Sequence, residues 1–219
     1  HAKTLFPYTT LFRSATALVA VAAVVIATLL AATLCTMPAW AENTAAALAT
    51  GDDYINAIDA VSKDAYIDKT RIGCVGASFG GFSVFEMAGM HNHRFKTFIS
   101  HDGVFDFRSM YGTTDEMWFE NWEKGGPYWQ KTNAVAQRSF SQSPSNFVDK
   151  WDTPIMIVQG GKDYRVPIEQ GQQAFQAAQL RGIKSRFLFL PDENHWVLSA
   201  QTALVWQREF YKWLDETLK

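Results

Sequence analysis

Apolar positions recur along this chain in two alternating rhythms. Tyr54, Ile55, Ile58 and Val61 fall at helical spacing behind a candidate cap at Thr50, which predicts an amphipathic helix up to about Lys63. Four short apolar or β-branched runs follow, each bounded by polar or turn residues: Arg71 to Ala77, Phe95 to His101, Pro154 to Gly160 and Arg186 to Pro191. Runs of that kind read as strands buried on both faces. Ile168 to Arg181 reads as a helix stopped by Gly182, and Thr202 to Leu218 as a C-terminal helix. This alternation predicts an α/β fold with a parallel sheet of about four strands flanked by helices. The stretch Phe105 to Phe147, rich in aromatics, Gly and Ser, reads as an irregular insertion over the carboxyl edge of the sheet. In open α/β sheets that edge binds ligands.

Composition narrows the function classes. The 219 residues are 47% hydrophobic, 14% aromatic and 19% charged, values of an ordinary globular domain rather than a disordered chain. Twenty basic against 22 acidic side chains leave a formal charge of −2, with no electrostatic footprint for a phosphate backbone, so nucleic acid is not an expected partner. The two cysteines, Cys35 and Cys74, are expected as free thiols. Cys74 stands among Ile72, Gly73 and Val75 without a basic neighbour to stabilise a thiolate, and reads as packing.

The N-terminal stretch has a different character. Thr4 to Ser14 resembles translated sequencing-adapter read-through, so residues 1–14 are expected to be non-native. Ala15 to Leu34 is a charge-free apolar run between Arg13 and the small-x-small sequence Ala39-Trp40-Ala41, so residues 15–41 read as a signal peptide, with an uncleaved membrane anchor as the alternative. Either implies export, periplasmic or membrane-associated in a bacterium. Leu34 before Cys35 argues against lipidation. Residues 42–219 form the expected folded domain.

The candidate chemistry lies at strand ends. Gly76-Ala77-Ser78-Phe79-Gly80 follows a predicted strand and opens a predicted helix, the setting that gives G-x-S-x-G its meaning as a nucleophile elbow. Such a turn projects Ser78 out of the sheet and turns the Phe79 amide, at a helix start, toward a developing oxyanion. A serine at neutral pH needs a base that is itself oriented. Asp163 follows the third predicted strand in Gly160-Gly161-Lys162-Asp163, and His195 follows the fourth in Asp192-Glu193-Asn194-His195. Ser, Asp, His is the chain order of α/β-hydrolases, and all three fall on one rim of the sheet. Asp102, Asp192 and Glu193 are competing carboxylates, but Asp163 has the placement one strand before the histidine. His91 and His93 form only an H-x-H pair, and His101-Asp102 a strand-end dipeptide, so no metal site is expected. Among the aromatics of the insertion, Tyr111 and Trp118 are the two assigned to a substrate pocket, the others to packing.

With these motifs in view, Gly51 to Lys219 resembles the catalytic domain of prolyl oligopeptidase-family serine peptidases, nearest the dipeptidyl-peptidase 5 and acylaminoacyl-peptidase branch. The resemblance rests on GASFGGFSVF around Ser78, SHDGVFDFRSMYGTTDEMWFENWEKGG, VQGGKDYRVP around Asp163 and FLPDENHWVL around His195. It implies hydrolysis of oligopeptides through an acyl-enzyme on Ser78, without a cofactor, and contact of Arg165 with a substrate carbonyl. Relatives also carry an N-terminal β-propeller and earlier sheet strands, with a tyrosine hydroxyl as second oxyanion donor. No counterpart is visible before Gly51, so a partial catalytic domain with an open sheet edge and impaired turnover is expected. A carboxylesterase of the same fold and a non-catalytic, membrane-tethered hydrolase-like module remain the alternatives.

Overall fold

The computed structural model describes residues 46–218, so the adapter-like and signal-like stretches and Cys35 lie outside the described residues. No helix among the described residues is long and apolar enough to cross a membrane. The elements run α1 (Ala46–Val61), β1 (Gly73–Ala77), α2 (Phe79–Ala88), β2 (Thr97–His101), α3 (Phe107–Thr113), α4 (Met117–Glu123), α5 (Ala134–Ser141), a 3-10 helix (Pro144–Lys150), β3 (Ile155–Gly160), α6 (Ile168–Leu180), β4 (Ser185–Leu190) and α7 (Ala200–Thr217).

The four strands pair in chain order, all parallel, with Val75 beside Ile99, Ile99 beside Met156 and Met156 beside Arg186. Alternation along β3 explains the layers. Ile155 and Ile157 join Phe85, Phe98, Trp151, Ala174 and Ala178 in the core beneath α2 and α6. Met156 and Val158 face the opposite way, against Ile99, Leu190 and Trp213. A strand covered on both faces has no polar side to show, so all of β3 is buried. On the second face, Trp206, Phe210, Trp213 and Leu214 of α7 recur at helical spacing, and Trp213 Nε1 donates to Phe98 O at 3.2 Å.

Two sequence expectations need correction. α1 begins at Ala46, so Thr50 lies within the helix rather than ahead of it; the alanine-rich sequence upstream has high helix propensity and carries the helix back past Thr50. The insertion is helical, not irregular. α3 starts where Asp106 accepts the Ser109 amide, and α5 where Asn133 accepts the Ala136 amide. Gln170 of α6, fully buried, accepts the amides of Phe105 and Asp106 at 2.9 Å each and ties the start of the insertion to the sheet. The insertion's Phe107, Tyr111, Tyr128 and Phe140 pack together and against Phe82 of α2.

Candidate active site

The turn between β1 and α2 is compressed. A Cβ on Gly76 would stand 2.2 Å from the Gly80 carbonyl oxygen, so a side chain there forces the turn open. Ser78 takes φ 57 and ψ −119, in the positive-φ region that non-glycine residues rarely adopt, and its amide is held by His101 O at 2.9 Å. The residue occupies the N-cap of α2, yet its side chain caps nothing. Its hydroxyl is directed instead to His195, with Oγ 2.8 Å from Nε2. The first amide of α2 bonded back to the turn is that of Phe82, to Ser78 O at 3.0 Å. The Phe79 amide at the start of the helix therefore has no intrahelical partner.

Asp163 follows β3 and is 3% exposed. Its Oδ1 accepts the amides of Arg165 and Val166 at 3.0 and 2.9 Å, while Oδ2 meets His195 Nδ1 at 2.6 Å. One carboxylate thus caps its own turn and orients the imidazole. The turn fixes the carboxylate plane, and the carboxylate fixes which ring nitrogen faces Ser78. His195 stands edge-on to Trp196, ring centroids 5.7 Å apart. The two loops are locked by backbone: Lys162 N–H donates to Glu193 O at 2.9 Å and Gly161 N–H to Leu190 O at 2.9 Å.

The competing carboxylates separate by what they touch. Asp192 pairs with Lys162 at 2.8 Å on the outside. Glu193 accepts the amides of Leu198 and Ser199 ahead of α7, and the Leu198 amide holds its carboxyl below the usual range. Asp102 is different. It is 1% exposed, and one of its oxygens lies within 4.8 Å of ligand atoms of both Asp163 and His195. This trio has a spacing that suits a cation. However, both oxygens of Asp163 and both nitrogens of His195 already have hydrogen-bonding partners, which occupy the atoms a cation would need.

The family model for the prolyl oligopeptidase family matches residues 39–219. The chain belongs to that family. Dipeptidyl-peptidase 5 of Porphyromonas endodontalis is 53% identical over 167 residues, covering 76% of this chain and 24% of that protein. Dipeptidyl-peptidase 5 of Porphyromonas gingivalis gives the same figures, 53% over 167 residues. The chain thus spans about a quarter of the length of these curated relatives. Among solved structures, an acylaminoacyl peptidase of Pyrococcus horikoshii superposes with TM-score 0.69 at 20% identity, over 78% of this chain and 28% of that one, a likeness of fold.

Within this prolyl oligopeptidase-family domain, the other residues assigned from sequence fall into distinct places. Arg165 joins Glu116 through Nε and Oε1 at 3.0 Å, and its carbonyl accepts Thr114 Oγ1 at 2.7 Å, so the insertion is clamped to the Asp163 loop. Tyr111 is set within the insertion's aromatic cluster. It is 6% exposed, with edge contacts to Tyr128, Trp129 and Phe140 and its hydroxyl donating to Asn121 at 2.8 Å, because the helical insertion folds that ring inward. Trp118 lies on the outer side of α4, 74% exposed, touching the edge of Phe119. His91 and His93 both approach Asp152, at 3.3 and 2.7 Å.

Proposed function

We propose that this chain carries the acyl-transfer machinery of a serine peptidase acting on oligopeptides, of the dipeptidyl-peptidase or acylaminoacyl-peptidase type. The observation that carries the reading is the continuous relay from Ser78 Oγ to His195 at 2.8 Å and from His195 to Asp163 at 2.6 Å. The 53% identity to dipeptidyl-peptidase 5 proteins favours release of dipeptides over other peptide chemistry.

In this reading His195 Nε2 removes the Ser78 hydroxyl proton as Oγ attacks the scissile carbonyl carbon. The carbonyl oxygen takes the electron pair of the opened π bond and is met by the Phe79 amide. Collapse of the tetrahedral intermediate breaks the C–N bond, and the leaving amine receives the proton from His195. Water, deprotonated by the same nitrogen, then cleaves the acyl ester and returns Ser78. Asp163 stabilises the imidazolium in both halves. Arg165 is the candidate for a substrate carbonyl. The same reading takes the chain to be exported, supported by the charge-free run Ala15 to Leu34 and by its bacterial relatives; fractionation of the producing cell tests it.

The chemical test is labelling by a fluorophosphonate probe, with Ser78→Ala as control and identification of the modified peptide. Labelling at Ser78 that vanishes in the variant supports the reading. A folded chain that stays unlabelled overturns it. Matched dipeptide-amide and ester substrates then decide between peptidase and carboxylesterase, since only a peptidase turns over the amide at a comparable rate.

A further inference from the structure

Three strand ends converge on the imidazole, and two of them bring a carboxylate. Asp102 follows β2 as Asp163 follows β3. Asp102 takes φ 46, positive for a residue that is not glycine, and this bend turns its side chain back into the sheet rim. Its amide donates to Val158 O at 2.9 Å, and its Oδ1 accepts the Gly160 amide at 2.9 Å, so it is tied to the strand that delivers Asp163. Its Oδ2 is buried and has no hydrogen-bond partner among the described residues. His101 Nε2 lies 3.2 Å from that oxygen but outside hydrogen-bonding geometry, and is itself unpartnered. A buried carboxylate oxygen left without a donor is costly unless a positive charge appears beside it. A ring nitrogen of His195 lies within 4.8 Å of one oxygen of this carboxylate, and in the reading above His195 becomes positive during acyl transfer.

We propose that Asp102 is a second carboxylate for the imidazole, a positioning residue that acts through His195 by stabilising its protonated form in the transition state. The inference rests on the triad reading above. Asp163 supplies the hydrogen bond and the tautomer; Asp102 supplies charge without contact. The other titratable groups near this rim are His101, on β2 against Trp206 with Nε2 3.2 Å from Asp102 Oδ2, Glu193, turned to the Leu198 and Ser199 amides, and Lys162, paired outward with Asp192.

Asp102→Asn removes the charge while keeping an oxygen for the Gly160 amide. The experiment is the rate of fluorophosphonate labelling of the full chain between pH 5 and 9 for the parent and this variant, with melting curves to identify any variant that does not fold. The expected result is an acid limb moved about one pH unit lower, because the imidazole now resists protonation, and a plateau about tenfold lower. A lowered plateau with the acid limb unmoved makes Asp102 merely structural and overturns the proposal. A second comparison does not depend on that variant folding. Asp163→Asn, with Asp102 intact, should label about tenfold faster than His195→Ala, and equal rates overturn the proposal. A parent that labels elsewhere than Ser78, or not at all, overturns the triad reading and this inference with it.

Discussion

Gly160 and Asn194 are pressed together backbone to backbone: a Cβ on Gly160 would stand 2.2 Å from the Asn194 carbonyl oxygen and 2.9 Å from that of Glu193. The end of the strand that leads to Asp163 therefore sets the position of the loop that carries His195. Neither neighbouring atom is the tip of a flexible side chain, so one of the two loops must yield to any substitution.

Gly160→Ala is expected to displace the His195 loop and lower the rate of fluorophosphonate labelling at Ser78 about a hundredfold, the scale of loss for a misplacement near 1 Å. The overpacking should cost roughly 1–3 kcal/mol of stability. Labelling at the parent rate would show that the close approach does not set the relay.

Under the proposed reading, a change at Arg165 separates substrate binding from nucleophile activation. Its guanidinium is half exposed beside Glu116, while Asp163 is held by the Arg165 backbone amide, which survives a side-chain change. Arg165→Ala is therefore expected to lower kcat/KM for a dipeptide-amide substrate about tenfold or more, the scale of a hydrogen bond to a charged donor. Fluorophosphonate labelling should change less than about threefold. A parallel fall in both assays would assign the arginine to loop architecture instead.

Cys74 lies half-buried in β1 and packs against the larger core, where burial of its thiol pushes it up to about 12. Almost none is thiolate at neutral pH, and the thiolate is the reactive form. Iodoacetamide at pH 7.5 should leave Cys74 unmodified in the folded chain and alkylate it once the chain is denatured, as read by mass spectrometry of the tryptic peptide. Rapid native modification would contradict the packing described for β1.

Which parts of this architecture were legible in the sequence follows from the distance over which each signal acts. β2 and β3 show as apolar runs because both faces are covered, and all three expected triad members stand at the rim where their strands end. The insertion was not legible as helix. α3, α4 and α5 have only 7, 7 and 8 residues, two turns each, too short for an apolar stripe to repeat. The local cues present were Asp106 and Asn133, each an N-cap followed three residues later by the amide it accepts. The packing of Tyr111 was hidden for the same reason, since only the folded helices show that its ring turns toward Tyr128, Trp129 and Phe140. Asp102 appeared as a rejected competitor to Asp163. Its place beside the imidazole depends on a positive φ and on the convergence of three strand ends, neither of which a strand-end dipeptide reveals.

Glu86 on α2 makes the stability of the fold depend on pH in a direction opposite to the usual carboxylate. It is 6% exposed, its Oε2 has no hydrogen-bond partner among the described residues, and burial raises its carboxyl from 4.5 to about 8. Between those values the folded chain holds a proton that the unfolded chain has released, so the unfolded state binds fewer protons and stability falls as pH rises. The contribution is intact below about pH 4.5, declines through the window and is fully lost above about pH 8, for a total of up to about 5 kcal/mol at 1.36 kcal/mol per pH unit. Glu86→Gln keeps the shape and cannot ionise. Denaturant melts of parent and variant at pH 5, 6.5 and 8 should nearly coincide at pH 5 and diverge upward, the variant being the more stable at pH 8. Parallel pH slopes in the two proteins would mean that Glu86 is ionised in the fold and has found a cation or water to hold it.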